Sequence, residues 1–177
     1  MQRWRVPLGF ICGALFILLA RPVPLTLAAG GAVALLGLAL RAWAAGHIMK
    51  NTALATSGPY AYTRNPLYLG SFLLGLGFTI ASGRWLLGVV FALLFLGIYL
   101  PVMRVEAKTL AEMFGEDYAR YARAVPLLFP RLIPYRDVRK QDAKFDASLY
   151  LRYREYRAAL GLILAWGLLA LKAVFVS

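Results

Sequence analysis

The sequence predicts an all-α fold: a polytopic transmembrane helical bundle of about five spans, with interfacial helices on the cytoplasmic side. Three observations carry this. The 177 residues are 61% hydrophobic, against about 45–50% in soluble domains, and the mean hydropathy is +0.65. Apolar residues gather in runs that approach the roughly 20 residues of a membrane crossing. The 20 Lys and Arg, source of the +12 net charge, flank those runs. Charge placed in this way argues against a nucleic-acid partner and for anionic lipid headgroups. The length suits a single membrane domain, 1–177. The lone Cys12 lies within an apolar run, which excludes an intrachain disulfide and reads as a small buried hydrophobe.

The first span covers 6–20. Arg21-Pro22 follow it directly, where a cleavable leader would place small residues, so it reads as a helix. Pro22 and Pro24 mark a turn, since neither can extend a hydrogen-bonded ladder. The second span, 25–45, is rich in Gly and Ala; small residues let helix backbones approach closely in lipid, so this helix is expected inside the bundle. A polar connection, 46–65, leads to a third span at 66–80, with Pro66 at the first helical position, where its missing N–H costs nothing. Ser82-Gly83-Arg84 reads as a tight turn, and the fourth span runs from Trp85 to about Met103. Pro101 predicts a kink or break near its end.

Beyond Arg104 the chain is charged but keeps helical spacing, with Leu110, Met113, Tyr118 and Tyr121 on one stripe. This amphipathic helix is expected to continue the fourth span and to end at Val125-Pro126. A basic segment, 137–157, has the pattern of an interfacial helix, and the last span covers 158–176, with Lys172 placed to snorkel to the far interface. With the N-terminus cytoplasmic, only Arg21, Arg84 and Lys172 among the 20 Lys and Arg fall outside. That asymmetry satisfies the positive-inside rule. It also brings the polar connection and the basic segment to one face.

Candidate chemistry gathers on that face. Arg64, Asn65, Pro66 and Tyr68 stand at a helix start, where free N–H groups and the dipole suit an anion, and Arg64 offers a bidentate contact to a carboxylate. The bland alternative for Arg64 and for Tyr60, Tyr62 and Tyr68 is an interfacial belt. Glu106, near hydrocarbon, needs a partner: either a basic neighbour such as Arg104 or Lys108, or a cationic ligand. His47, the single histidine, cannot anchor a typical zinc site alone, so no metal site is expected; at a helix end it reads as a cap or interface residue. No nucleophilic triad and no dinucleotide fingerprint is present.

Two stretches, LATSGPYAYTRNPLYLG at 54–70 and EAKTLAEMFGEDYARYARAVP at 106–126, carry a resemblance. Their pattern is similar to that of the membrane methyltransferases that include isoprenylcysteine carboxyl methyltransferase and the phospholipid N-methyltransferases. The resemblance covers about 41–134, with a methyltransferase-like core at 45–134. It implies S-adenosylmethionine as methyl donor, with S-adenosylhomocysteine as product, held between the loop and the cytoplasmic helix ends. By position Tyr60, Pro66 and Tyr68 would line the donor, Leu54 and Ala55 would back the adenosine, and Glu106 would face amino or ribose groups. His47, Arg64 and Asn65 join this cofactor set. Arg104 is the candidate catalytic residue, orienting an anionic acceptor. The chain departs from the isoprenylcysteine enzymes at Asn65 and Thr52, where those carry His, and shows Glu106-Ala107 in place of an acidic pair.

The expected function is therefore methyl transfer, on oxygen or nitrogen, to a lipophilic acceptor. A non-catalytic lipid-binding or scaffold protein is the alternative from another class. A nicotinamide-dependent sterol-type reductase would require a larger nucleotide site and more spans. The basic segment and last span beyond the core either cover the substrate groove or form a dimer face.

Overall fold

The computed structural model describes residues 13, 16–48, 53–136 and 144–175. Helical residues 16–19 lead into α1 (Pro24–Ala45), a 3-10 turn (Gly58–Ala61), α2 (Pro66–Ala81), α3 (Trp85–Ala124), α4 (Ala147–Arg152) and α5 (Tyr156–Phe175). Among the described residues α1, α3 and α5 are long and apolar enough to cross a membrane, and α2, 16 residues long, is apolar but shorter. The protein is a multi-pass membrane protein. Most of the first predicted span, Cys12, Thr52 and residues 137–143 of the basic segment lie outside the described residues.

The bundle is organised on an antiparallel α1/α2 seam made of small residues. A side chain at Gly30 would collide with the carbonyl of Gly77 and with Ala81, and one at Gly37 would collide with the carbonyl of Gly70 and with Leu74. The two backbones thus touch over several turns. In lipid, where no hydrophobic drive separates helix from solvent, such contact packing holds helices together. The expected interior position of α1 is what its glycines deliver: Gly30, Ala34 and Gly37 are all buried.

α2 turns into α3 through Gly83, whose φ of 63° favours glycine over residues with a Cβ. Aromatic rings fill the α2/α3 interface: Phe72 lies 5.1 Å from Phe95, Phe95 stacks at 4.7 Å on Tyr99, and Tyr99 lies 5.3 Å from Tyr68. α5 meets the seam through Trp166, against Gly31 and the ring of Phe78.

Three elements differ from the sequence-based expectation. α3 passes through Pro101 with helical backbone angles and leaves them only at Gly115, φ 50° and ψ −123°. Glycine has access to that region and other residues do not, so the change of direction lies one motif further on. Among its described residues the basic segment forms the short helix α4, and α5 starts at Tyr156. Lys172 bonds within the bundle: its Nζ donates to the carbonyls of Ile17 and Leu18 at 2.7 and 2.6 Å, groups that a helix end leaves unpaired.

Gly37→Val should force α1 and α2 apart and cost about 1–3 kcal/mol, as overpacking does. Thermal unfolding in detergent should show a lowered midpoint, while Gly97→Ala, where an added Cβ meets nothing within 4 Å, should stay near the parent. An unchanged midpoint for Gly37→Val would refute backbone contact at the seam.

Candidate active site

The stretch from Gly58 to Tyr68 is shaped by its glycine and prolines. Gly58 has φ 57° and lies against the His47 ring, where a side chain would not fit. Pro59 follows in the 3-10 turn, and Pro66 opens α2. Between them the backbone is zipped to the chain that follows α3. Arg64 N donates to Pro126 O at 3.0 Å, Arg131 N to Tyr62 O at 3.0 Å, and Tyr135 N to Ala61 O at 2.9 Å. Side chains complete the seam: Thr63 Oγ1 donates to Leu128 O at 2.8 Å, Asn65 Nδ2 to Leu127 O at 2.9 Å, and the Tyr121 hydroxyl to Tyr60 O at 2.7 Å. Polar groups buried here cannot turn to water, and each one left unpaired would cost about 1–3 kcal/mol.

Beside the zip lies a cavity of about 590 Å³. Its walls come from 53–55, from Tyr60 and 64–68, from α3 between Met103 and Tyr121, from Arg41 of α1, and from Tyr153 and Glu155. Gly115 makes this enclosure possible. The chain turns there and returns Tyr118 and Tyr121 onto Leu54, with Leu110 and Phe114 packed alongside. The size falls within the about 300–1,000 Å³ of small-molecule sites.

Of the residues singled out from the sequence, Leu54, Ala55, Tyr60, Arg64, Asn65, Pro66, Tyr68 and Glu106 all line this cavity. Glu106 pairs with neither Arg104 nor Lys108; its Oε1 accepts from the Tyr68 hydroxyl at 2.8 Å. Arg64 Nη1 donates to the Tyr118 hydroxyl at 3.1 Å, while its Nε is buried with no hydrogen-bond partner. Asn65 occupies the N-cap position of α2 but gives no side-chain cap there, because its amide is engaged with Leu127.

Two residues fall elsewhere. His47 is buried beneath the loop, its Nδ1 3.0 Å from Trp43 O; a carbonyl only accepts, so the proton sits on Nδ1, and the ring supports Gly58 instead of lining the cavity. Arg104 is exposed on α3 and lies outside the lining, although Met103 and Val105 on either side of it contribute.

Sequence reasoning missed Arg41, Tyr153 and Glu155. Arg41 Nε and Nη2 grip both oxygens of Glu155 at 3.0 and 2.9 Å, and Nη1 donates to Ser71 Oγ at 2.6 Å. Arg41 and Glu155 are 114 positions apart, and no local pattern marks such a pairing.

Burial, then the nearby Glu106 and Glu155 carboxylates, push the Tyr60 phenol well above its ordinary range, and burial does the same to Tyr121. Among the described residues no three His, Cys, Asp or Glu gather where a metal ion could be held.

The profile of the phospholipid methyltransferase family matches residues 25–117, more than half of the chain. The cobalt-zinc-cadmium resistance protein CzcN of Cupriavidus metallidurans is 38% identical over 143 residues, 75% of this chain and 64% of that protein. The protein-S-isoprenylcysteine O-methyltransferase of Schizosaccharomyces pombe is 34% identical over 85 residues, 48% of this chain and 36% of the enzyme. Methanethiol S-methyltransferase of Crocosphaera subtropica is 37% identical over 71 residues, 40% and 27%. The chain thus spans less than two thirds of the length of these relatives. No solved structure matches it.

An unfolded tyrosine ionises near pH 10. Tyr60 and Tyr121 should keep their protons beyond that in the folded protein, so their contribution to stability should be full below about pH 10 and fall as pH rises and the unfolded chain sheds protons the folded chain retains. Tyrosinate absorbance of the folded protein at about pH 11 should be the same in the parent, Tyr60→Phe and Tyr121→Phe. A variant with reduced amplitude would show that its phenol titrates normally.

Proposed function

The chain belongs to the phospholipid methyltransferase family, and from that premise we propose that it transfers a methyl group from S-adenosylmethionine to a lipid or lipidated acceptor. One observation carries the proposal: a single cavity gathers aromatic rings, a carboxylate, a guanidinium with a free buried N–H, and an apolar wall. These features match the donor part by part. The Arg64 Nε–H and the uncapped start of α2 suit its carboxylate. Glu106 suits its ammonium. The rings of Tyr60 and Tyr68 suit a cationic sulfur. Leu54, Ala55, Leu110 and Phe114 offer an apolar bed for the base.

The donor supplies a methyl carbon already activated by the sulfonium. What remains for the chain is to bind, orient and exclude water. The Tyr68 hydroxyl orients Glu106, and the zip holds Tyr60 and Arg64 against α3, so the polar groups are set before a ligand arrives. His47 acts indirectly in this scheme, by supporting Gly58. Arg104 belongs to the acceptor side: exposed just outside the cavity, it can attract an anionic headgroup.

The acceptor is proposed to reach the cavity from lipid, along the α3 face where Val105 is 63% and Met113 48% exposed. The positive-inside asymmetry favours a cytoplasmic N-terminus and cofactor site, with anionic lipid around the basic residues. Relatives are named for oxygen and sulfur acceptors and the family for phospholipids, so the atom methylated here is left to experiment.

Calorimetry of the full chain with S-adenosylhomocysteine should show binding. Glu106→Ala should weaken it about 10- to 100-fold, the range for a hydrogen bond to a charged group, Tyr68→Phe should weaken it less, and Lys144→Ala should leave it unchanged. Parent protein that is folded and gives no heat at high micromolar ligand would sink the donor assignment. A lipid-binding scaffold would instead lose only stability on Arg64 or Asn65 substitution. Labelled donor with a total lipid extract then identifies the methylated species.

A further inference from the structure

The turn at 153–155 lies outside the family match at 25–117, yet it supplies Tyr153 and Glu155 to the cavity wall. Resting on the donor reading above, we propose that this turn completes the donor pocket: Tyr153 is an aromatic contact for the cationic sulfur, and the Arg41–Glu155 pair is the positioning device that holds it there.

The turn is built at a local cost. Arg154, between the two lining residues, has φ 55° and is the one non-glycine residue with positive φ among those described. An L-residue in that region is disfavoured by about 1–3 kcal/mol and persists where its surroundings over-determine it. The consequence is directional: Tyr153 and Glu155 both face the cavity while Arg154 is exposed.

Three ties hold the turn against the end of α1. Phe145 lies on Gly46, where any side chain would collide with its ring. Asp146 N donates to Gly46 O at 2.9 Å. Glu155 receives Arg41 in a two-pronged contact, with side-chain exposures of only 12% and 21%.

Arg41 also reaches Ser71 Oγ and Leu67 O on α2. The pair therefore locks α1, α2 and the turn to one another around the cavity. Its own groups are engaged in doing so: both Glu155 oxygens accept, and Nε, Nη1 and Nη2 of Arg41 all donate. Four of the five Arg41 N–H groups and both Glu155 oxygens are committed to the fold in this way, which fits the pair to a positioning role. Tyr153 and Tyr60 both line the cavity, which sets two rings around one space, and the Tyr153 phenol is among the groups that act on Tyr60. A sulfonium gains from aromatic faces, and a neutral thioether lacks the charge that this attraction requires.

The experiment compares the two forms of the ligand on the full chain. Calorimetry with S-adenosylmethionine and with S-adenosylhomocysteine is run on parent, Tyr153→Phe, Tyr153→Met, Arg41→Gln, Glu155→Gln and the Arg41→Gln/Glu155→Gln double variant. Tyr153→Met, which keeps bulk but loses the ring, should weaken S-adenosylmethionine binding by about 3- to 30-fold, and S-adenosylhomocysteine binding by less. Tyr153→Phe should resemble the parent. Glu155→Gln should weaken both ligands, and Arg41→Gln/Glu155→Gln should cost no more than the worse single change, as for groups acting as a unit. The assignment is overturned if Tyr153→Met binds both ligands like the parent or loses both equally. It also falls if Glu155→Gln, folded, binds as the parent does, a result that stays decisive should Tyr153→Met not fold. Parent protein that takes up neither ligand removes the donor reading, and this assignment with it.

Discussion

The backbone seam between 61–65 and 126–135 is the constraint on which the rest of the site depends. α2 and α3 are joined by a short turn at the far end of the bundle, and their side-chain contacts reach the site at Tyr68, Tyr99 and Glu106. The seam ties down the chain beyond both site-bearing ends. It pairs Arg64, Tyr62 and Ala61 with Pro126, Arg131 and Tyr135 through main-chain bonds, and Thr63, Asn65 and Tyr121 add side-chain bonds across it. Each bond is worth only about 0.5–1.5 kcal/mol net. As a set in a partly buried place they are difficult to break singly, because each broken bond strands a polar group.

Much of the hydrocarbon part could be read directly from the residues. Pro66 marks a helix start, Gly83 a turn, and the Gly and Ala of α1 a close helix contact, because each reflects a local backbone rule. The loop and the second motif could be recognised as two halves of one site. How they are joined could not. The seam has no period-2 alternation, contains Pro126, Pro130 and Pro134, and relies on main-chain groups that every sequence has. Asn65 illustrates the difference. Its chemistry suggests a ligand contact, and only the fold shows its amide committed to Leu127.

Charge pairing was illegible in the sequence. Counting Lys and Arg gives an expected orientation, because that rule is additive. Pairing is not additive. Arg41 counted simply as one more basic residue at a helix end, and Glu155 sat among Arg152, Arg154 and Arg157 with nothing to distinguish it. Lys172 looked like a snorkelling anchor, and it binds the carbonyls of Ile17 and Leu18. In a low-dielectric setting the nearest available partner wins, and proximity is a property of the fold.

Gly115 turns α3 with a backbone that residues bearing a Cβ resist, although an added Cβ there would meet no atom within 4 Å. Space and conformation thus pull in opposite directions at the same position. A survey of tolerance based on side-chain volume would mark the site as permissive, whereas one based on dihedral angles would mark it as closed. The letter G in the second motif is in this sense punctuation: it names no contact and no chemistry, and records where a membrane helix ends its outward run and folds back over its own cargo space.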